Sequence, residues 1–222
     1  MKKNVAIFCG GPHARVIIDI LRRDRDVQLI GLIDSEKEIG SDFYGLPVIG
    51  RQHNILELSN KYQFNNGLVA LGDNYQRESV VKEILGQIPT FNFINAIAES
   101  ALISDTASLG VGNVIMPGVI INSEAIVRDH CIINTNSSLE HNCVMADFSS
   151  LSAGVTTGGY FKLGRYSAIA LGATIYDRTT IGENVVVGSG SLVTRDLSDH
   201  ALYYGIPAKK ARDRKPFEKF LK

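Results

Sequence analysis

The chain has 222 residues, and its 23 Lys and Arg are balanced by 23 Asp and Glu, so the formal charge is zero. That balance argues against nucleic acid as the main partner, since phosphate-binding proteins normally carry a basic excess. Three cysteines without a CxxC pair exclude a disulfide framework and give no metal or redox motif. No apolar run reaches membrane length and no signal peptide opens the chain, which makes a soluble cytoplasmic protein the expectation.

Residues 1–95 read as strands alternating with helices. A buried-strand run at 4–9 is broken by Gly10, Gly11 and Pro12, and residues 14–23 then show helical spacing with Arg22 and Arg23 in the last turn. A second strand at 27–33 ends at Asp34. A loop with Gly40, Gly45 and Pro47 follows, then a helix at 52–62, a strand at 67–71, a helix at 75–85 and a strand at 90–94. Alternation of this kind predicts an α/β domain, a small Rossmann-like parallel sheet with right-handed crossovers.

Ligands of such sheets bind at the carboxyl ends of the strands. The loops there are 10–13, Asp34 with Ser35, and 72–74. The first could offer backbone amides to a phosphate, yet it lacks the third glycine of a dinucleotide fingerprint and Pro12 removes a donor. A nicotinamide-dependent reading rests on that loop alone. Asp34 is suited to a ribose or sugar hydroxyl, with the capping of a turn or helix as the alternative.

From Ile97 to Val193 one period rules. Every sixth residue is large and apolar, among them Ile115, Ile121, Val127, Ile133, Leu139, Met145, Leu151 and Leu163, and only Thr157 departs. Four places later stands mostly a small residue, such as Ala125, Cys131, Ser137, Cys143 or Ser149. Six fits neither a helix nor a sandwich strand, so each unit is a short strand plus a turn, the repeat of a parallel β-helix. Three units close one triangular coil, and residues eighteen apart stack. The domains expected are 1–95, 96–200, and a closing segment at 201–222 that includes residues 204–210 (YGIPAKK) and a basic tail. That tail suits either a frayed terminus or an attraction for CoA phosphates.

The pattern [LIV]-[small or acidic]-x-x-[small]-x closely resembles that of the left-handed β-helix, hexapeptide-repeat acyltransferases. With the first ninety-five residues included, the chain is similar to sugar acyltransferases of the sialic acid O-acetyltransferase type. Within them it is most similar to enzymes that N-acetylate nucleotide-linked 4-amino-6-deoxy sugars. The resemblance implies acetyl-CoA as donor, no metal, and a homotrimer with sites between subunits, working in polysaccharide biosynthesis. It places the nucleotide-sugar at Gly11, His13, Asp34, Ser35, Gly72, Asp73 and Asn74. Relatives have glycine where Pro12 stands, which changes the first loop.

Acetyl transfer needs a group to take the proton of the attacking amine and a donor for the oxyanion. With Leu139 inward, Glu140 and His141 lie on the outside of the coil, and histidine titrates near neutrality. The resemblance implies His141 as base, with Glu140 as its partner, and Gly159 as oxyanion donor. His130 also faces outward and is expected to be a neutral surface histidine. For the donor, many relatives have a second histidine where this chain has Ser150; Gly159, Ala170, Leu171, Gly188 and Gly190 would line the pantetheine path, although coil corners alone also call for small residues. A hydroxyl acceptor on a sialic-acid-like sugar and a non-catalytic trimeric nucleotide-sugar-binding module are the alternatives.

Overall fold

A computed structural model describes residues 2–219. The chain forms two compact units, one made of the residues up to Gly72 together with Gln76–Ala96, the other of Asp73–Tyr75 and everything from Ile97 onward. The closing segment expected as a third part is grouped with the coil.

In the first unit, β1 (Lys3–Phe8) lies between β2 (Val27–Ile33) and β5 (Asn66–Val69), parallel to both. Val5 to Phe8 are fully buried, as their continuous apolar run requires. Helix α1 (Pro12–Arg23) buries Ala14, Ile17, Ile18 and Leu21 on one face. Pro12 occupies its first turn, where a missing N–H leaves no helical bond unmade. Helices α2 (Ile55–Tyr62, entered through a 3-10 turn at Gln52–Asn54) and α3 (Asn74–Gln87) and the edge strand β6 (Asn92–Phe93) complete the alternation.

The expected loop around residues 40–50 is instead a hairpin. Strand β3 (Asp42–Phe43) pairs antiparallel with β4 (Leu46–Gly50), which continues the sheet parallel to β2. Its two-residue turn sets Tyr44 and Gly45 at φ 52° and 73°. Both central residues of such a turn need positive φ, and a tyrosine there hides the signal that Asn-Gly would give. Pro47 is tolerated because its partner is Asp42 on the outermost strand.

In the second unit, two-residue strands recur every six residues from β7 (Ala96–Ile97) to β23 (Leu192–Val193), forming three parallel walls. Each residue pairs with the one eighteen further on: Ile133 with Leu151, Ile121 with Leu139, Val127 with Met145. The apolar row is buried from Ile115 to Val193, but Ile97 is 40% exposed because no coil lies beneath it. Serines at the small positions satisfy their hydroxyls inside the turns, as in Ser137 Oγ to Ser152 O at 2.8 Å and Ser167 Oγ to Gly182 O at 2.6 Å. At every corner from Gly112 to Gly190, one residue in six adopts the left-handed region. Asn136, Asn142 and Asn184 suit it, since Asn tolerates that region better than most residues.

Two expectations about this unit change. His130 is buried, not solvated: its ring stacks on Phe148 at 4.9 Å, and Phe148 on Tyr166 at 6.2 Å, an aromatic column of residues eighteen apart. The tail is also ordered over the described residues. Strands β24 (Ala201–Gly205) and β25 (Ala208–Asp213) form an antiparallel hairpin on the last coil, and Lys210 pairs with Asp213 at 2.6 Å. Arg214 is buried and, with Arg212, meets Glu218. Three of the five basic side chains at 209–215 thus meet an acid, Lys210 with Asp213 inside the cluster and Arg212 and Arg214 sharing Glu218, which folding brings back to them.

Candidate active site

The first unit carries a cleft of about 500 Å³ at the carboxyl ends of its strands, within the range of small-molecule sites. Gly11, Asp34 and Ser35 line it; His13, Gly72, Asp73 and Asn74 do not. Lining residues missed by sequence reasoning include Cys9, Lys37, Gln52, Gln76 and Glu83. They come from the end of β1, the turn after β2, the 3-10 turn at Gln52–Asn54 and α3, so no local motif marks them.

Asp34 is committed to the backbone. Its carboxylate accepts the amides of Gly10 at 2.7 Å, Glu36 at 2.9 Å and Lys37 at 3.0 Å, tying the first two loops together. The turn-capping role is the one its geometry displays, and the Gly10 amide is thereby taken from any phosphate. Burial alone would raise its pKa, but the three amides and the Lys37 charge outweigh it and hold the group below 3.8. Its contribution to stability is thus present above the ordinary carboxylate range and is lost as pH falls through the depressed value. Asp34→Asn turns a donor toward one of these amides. It should cost about 1–3 kcal/mol at pH 7, and urea unfolding should show the gap to wild type shrinking as pH falls below 3.8.

The other residues of this unit are less available than expected. Burial, then the charge of Asp34, pushes the Cys9 thiol up to about 12, so it stays protonated; Gln52 donates to its sulfur at 3.0 Å. His13 is lowered to about 4 by burial and then by Arg77, so it is neutral at pH 7 with a buried, unbonded Nε2. Arg77, fully buried, donates to the carbonyls of Leu71 at 2.9 Å and Gly72 at 3.1 Å, which spends the latter carbonyl on structure.

Asp73 and Asn74 belong to the second unit. Asn74 is 2% exposed, and its amide donates to the carbonyls of Tyr166 at 3.1 Å and Ser167 at 3.3 Å. That side chain clamps the coil and cannot also reach a sugar. Next to it Tyr75 stacks on Tyr166 at 4.2 Å and meets Phe217 at 4.8 Å.

His141 stands exposed at the corner between the wall of β14 (Ser138–Leu139) and that of β15 (Val144–Met145). Gly159 is eighteen residues on and stacks directly against it: a Cβ on Gly159 would lie 2.6 Å from both Cε1 and Nε2 of the imidazole. The amides beside Gly159 are used, Gly158 N to Ile175 O at 2.8 Å and Tyr160 N to His141 O at 3.0 Å. Tyr160 meets the imidazole edge-on at 5.3 Å, with the Arg178 guanidinium 4.4 Å over its ring.

The expected pairing of Glu140 with His141 is corrected. Glu140 accepts Asn122 Nδ2 at 2.9 Å, whereas His141 Nδ1 faces Asn142 Oδ1 at 3.0 Å. An amide oxygen can only accept, so Nδ1 carries the proton and the Nε2 lone pair is left for a substrate. The left-handed turn at Asn142, φ 58°, folds this side chain back toward the ring, while Glu140 is drawn toward the coil below. Asn142→Ala should lower kcat about 10-fold by freeing the tautomer and ring orientation, and Asn142→Asp should restore most of it in the same turnover assay.

The donor residues separate. Ser150 is buried with an unbonded hydroxyl in the wall of β13 (Ile132–Ile133) and β16 (Ser150–Leu151), the wall opposite the His141 corner. Its shielded hydroxyl does not offer the donor contact expected of it. Ala170, Leu171, Gly188 and Gly190 lie at the corner that follows this wall, where Leu171 is 58% exposed and Gly190 is open to solvent. Among the described residues no cluster of His, Cys, Asp and Glu could hold a metal ion.

Residues 4–84 match the PglD N-terminal domain family. A variant of GDP-perosamine N-acetyl transferase from Caulobacter crescentus, in complex with CoA and GDP-perosamine, superposes with a TM-score of 0.88 at 31% identity, covering 95% of this chain and 97% of that one. The acetyltransferase domain of PglB from Neisseria gonorrhoeae, in complex with acetyl coenzyme A, gives 0.85 at 26% identity over 95% and 100%. UDP-N-acetylbacillosamine N-acetyltransferase of Bacillus subtilis is 32% identical over 118 residues, 51% of each chain. The chain spans about half or less of the length of the curated relatives it matches, 39% of a putative serine acetyltransferase of Schizosaccharomyces pombe, for example. With an α/β unit that matches the PglD domain, a three-walled coil, and a histidine under a glycine at one corner, the chain belongs to the left-handed β-helix, hexapeptide-repeat acyltransferases that carry a PglD N-terminal domain.

Proposed function

We propose that the protein is an acetyl-CoA-dependent N-acetyltransferase acting on the amino group of a nucleotide-linked amino-deoxy sugar. The observation that carries this reading is the His141 corner: an exposed imidazole with Nδ1 held by Asn142 and Nε2 against the Gly159 backbone. The amine attacks the thioester carbonyl carbon, and His141 Nε2 takes its proton. The developing oxyanion is received by the Gly159 amide. Collapse breaks the carbon–sulfur bond, and the imidazolium returns the proton to the departing thiolate. The cleft beside Asp34 and Ser35 is the place proposed for the nucleotide.

We also propose a cytoplasmic homotrimer with donor and acceptor meeting between subunits. Outward-facing Leu102 and Ile120, 67% and 40% exposed on one wall, support burial against another copy. That arrangement would bring the small residues at 170–171 and 188–190 of one subunit within reach of another's histidine. A panel of UDP-, TDP- and GDP-linked amino sugars with acetyl-CoA tests the reading by thiol release. Absence of release with every acceptor, together with tight nucleotide-sugar binding, would replace it by the non-catalytic binding module.

A further inference from the structure

The inward row from Ile97 to Val193 has a single polar member, Thr157, and it occurs one coil above the base. A loop excursion is the obvious explanation, but the structure has none: β17 (Thr156–Thr157) keeps its place in the wall and Thr157 is 2% exposed. Its hydroxyl is fully used. Oγ1 donates to Ser138 O at 3.2 Å and accepts the Glu140 amide at 3.1 Å.

That second bond replaces a rung of the ladder. Below it Asn122 N donates to Leu139 O at 2.9 Å, and above it Gly158 N donates to Ile175 O at 2.8 Å. By the same register Glu140 N would donate to the carbonyl of residue 157, and it goes to that residue's side chain instead. Regular pairing is correspondingly confined to Ser138 with Thr156 at this level, without the Leu139 partner. The diverted amide belongs to the residue that precedes His141, so the entry to the turn holding the imidazole is set by a side chain, while Asn142 N to Ser123 O and Tyr160 N to His141 O, both at 3.0 Å, keep the rest of the turn on the coil's backbone.

We infer that Thr157 is a positioning residue for His141: its hydroxyl sets the path of the turn at 140–142 and so holds Nε2 against Gly159. The inference rests on the proposed acetyl transfer for its kinetic test. An apolar residue would serve the core equally or better, so the hydroxyl needs a reason other than packing. Thr157→Val keeps the branched shape and removes the hydroxyl, leaving the Glu140 amide to seek the carbonyl and move the turn.

Thr157→Val is expected to lower kcat about 10- to 100-fold, with both KM values within about two-fold and thermal stability not reduced, while Thr157→Ser keeps wild-type kcat. Wild-type kcat in Thr157→Val overturns the inference. So does a Thr157→Ser enzyme that loses as much kcat as Thr157→Val, since packing would then be the cause. Should the valine variant not fold, Thr157→Cys, with a much weaker acceptor of similar size, carries the same expectation. A crystal structure of the variant reads the turn without substrate: Glu140 N bonded to the residue-157 carbonyl with the imidazole displaced supports the inference, and an unmoved imidazole overturns it. Failure of wild type to release thiol with any acceptor would refute the proposed function and leave that structural result standing.

Discussion

Replacing His141 with asparagine is expected to lower kcat about 10²- to 10⁴-fold, the range that general-base catalysis typically contributes, while both KM values stay near wild type. The side chain is exposed and its loss opens no cavity. Its backbone carbonyl still accepts Tyr160 N at 3.0 Å, because that bond belongs to the coil and not to the ring. Asparagine can retain a polar contact with Asn142 but has nothing at the position of Nε2, so the proton of the attacking amine has no acceptor. Stability should change by no more than about 0.5 kcal/mol, as for other exposed sites. A melt and a thiol-release assay on one preparation separate the two effects. Turnover within a few-fold of wild type would remove the imidazole from the chemistry.

The histidine was legible because a coil is an unusually regular object. A core that takes the same two positions of every six, such as Leu139 and Cys143, fixes which neighbours face out, and the stacking of residues eighteen apart follows from three walls. Its side-chain partner was not legible. Glu140 and Asn142 flank His141 equally in sequence, and the choice between them depends on which corner residue adopts the left-handed turn. That corner residue is Gly, Asn, Tyr, Phe, His, Arg or Glu along the coil, so composition does not announce it.

The first unit was legible in its strands and helices but not in its cleft. Asp34 reads as a ligand for a hydroxyl until its three amide donors are seen, and Asn74 as a sugar contact until its amide is found on the carbonyls of Tyr166 and Ser167. In both cases the partner lies on the backbone, which any residue supplies and no motif records. The tail escaped for a related reason: Arg212 and Arg214 share Glu218 only after the β24–β25 hairpin has turned the chain back.

Gly159→Ala should lower kcat about 10²-fold, the penalty of a displacement near 1 Å at a reacting group, and should leave the fold intact. The new Cβ would fall 2.6 Å from Cε1 and Nε2 of His141, inside any real contact distance, and the atoms it meets are the far end of a side chain that can rotate outward. The backbone of Gly159 lies outside the left-handed region, so alanine brings no strain of its own. Gly158→Ala, one residue earlier, should behave in the opposite way. Its Cβ would meet the Asp177 amide nitrogen at 2.5 Å and Cα at 2.8 Å, a stretch of coil backbone that cannot swing aside. A loss of about 1–3 kcal/mol, typical of overpacking, is expected there, read as a lowered melting temperature. Two adjacent glycines thus separate two demands, one for closing the coil and one for leaving the imidazole where it is. A Gly159→Ala enzyme with wild-type kcat would show that the histidine can work from another rotamer, and the stacking of residue 159 on residue 141 would then be a matter of packing alone.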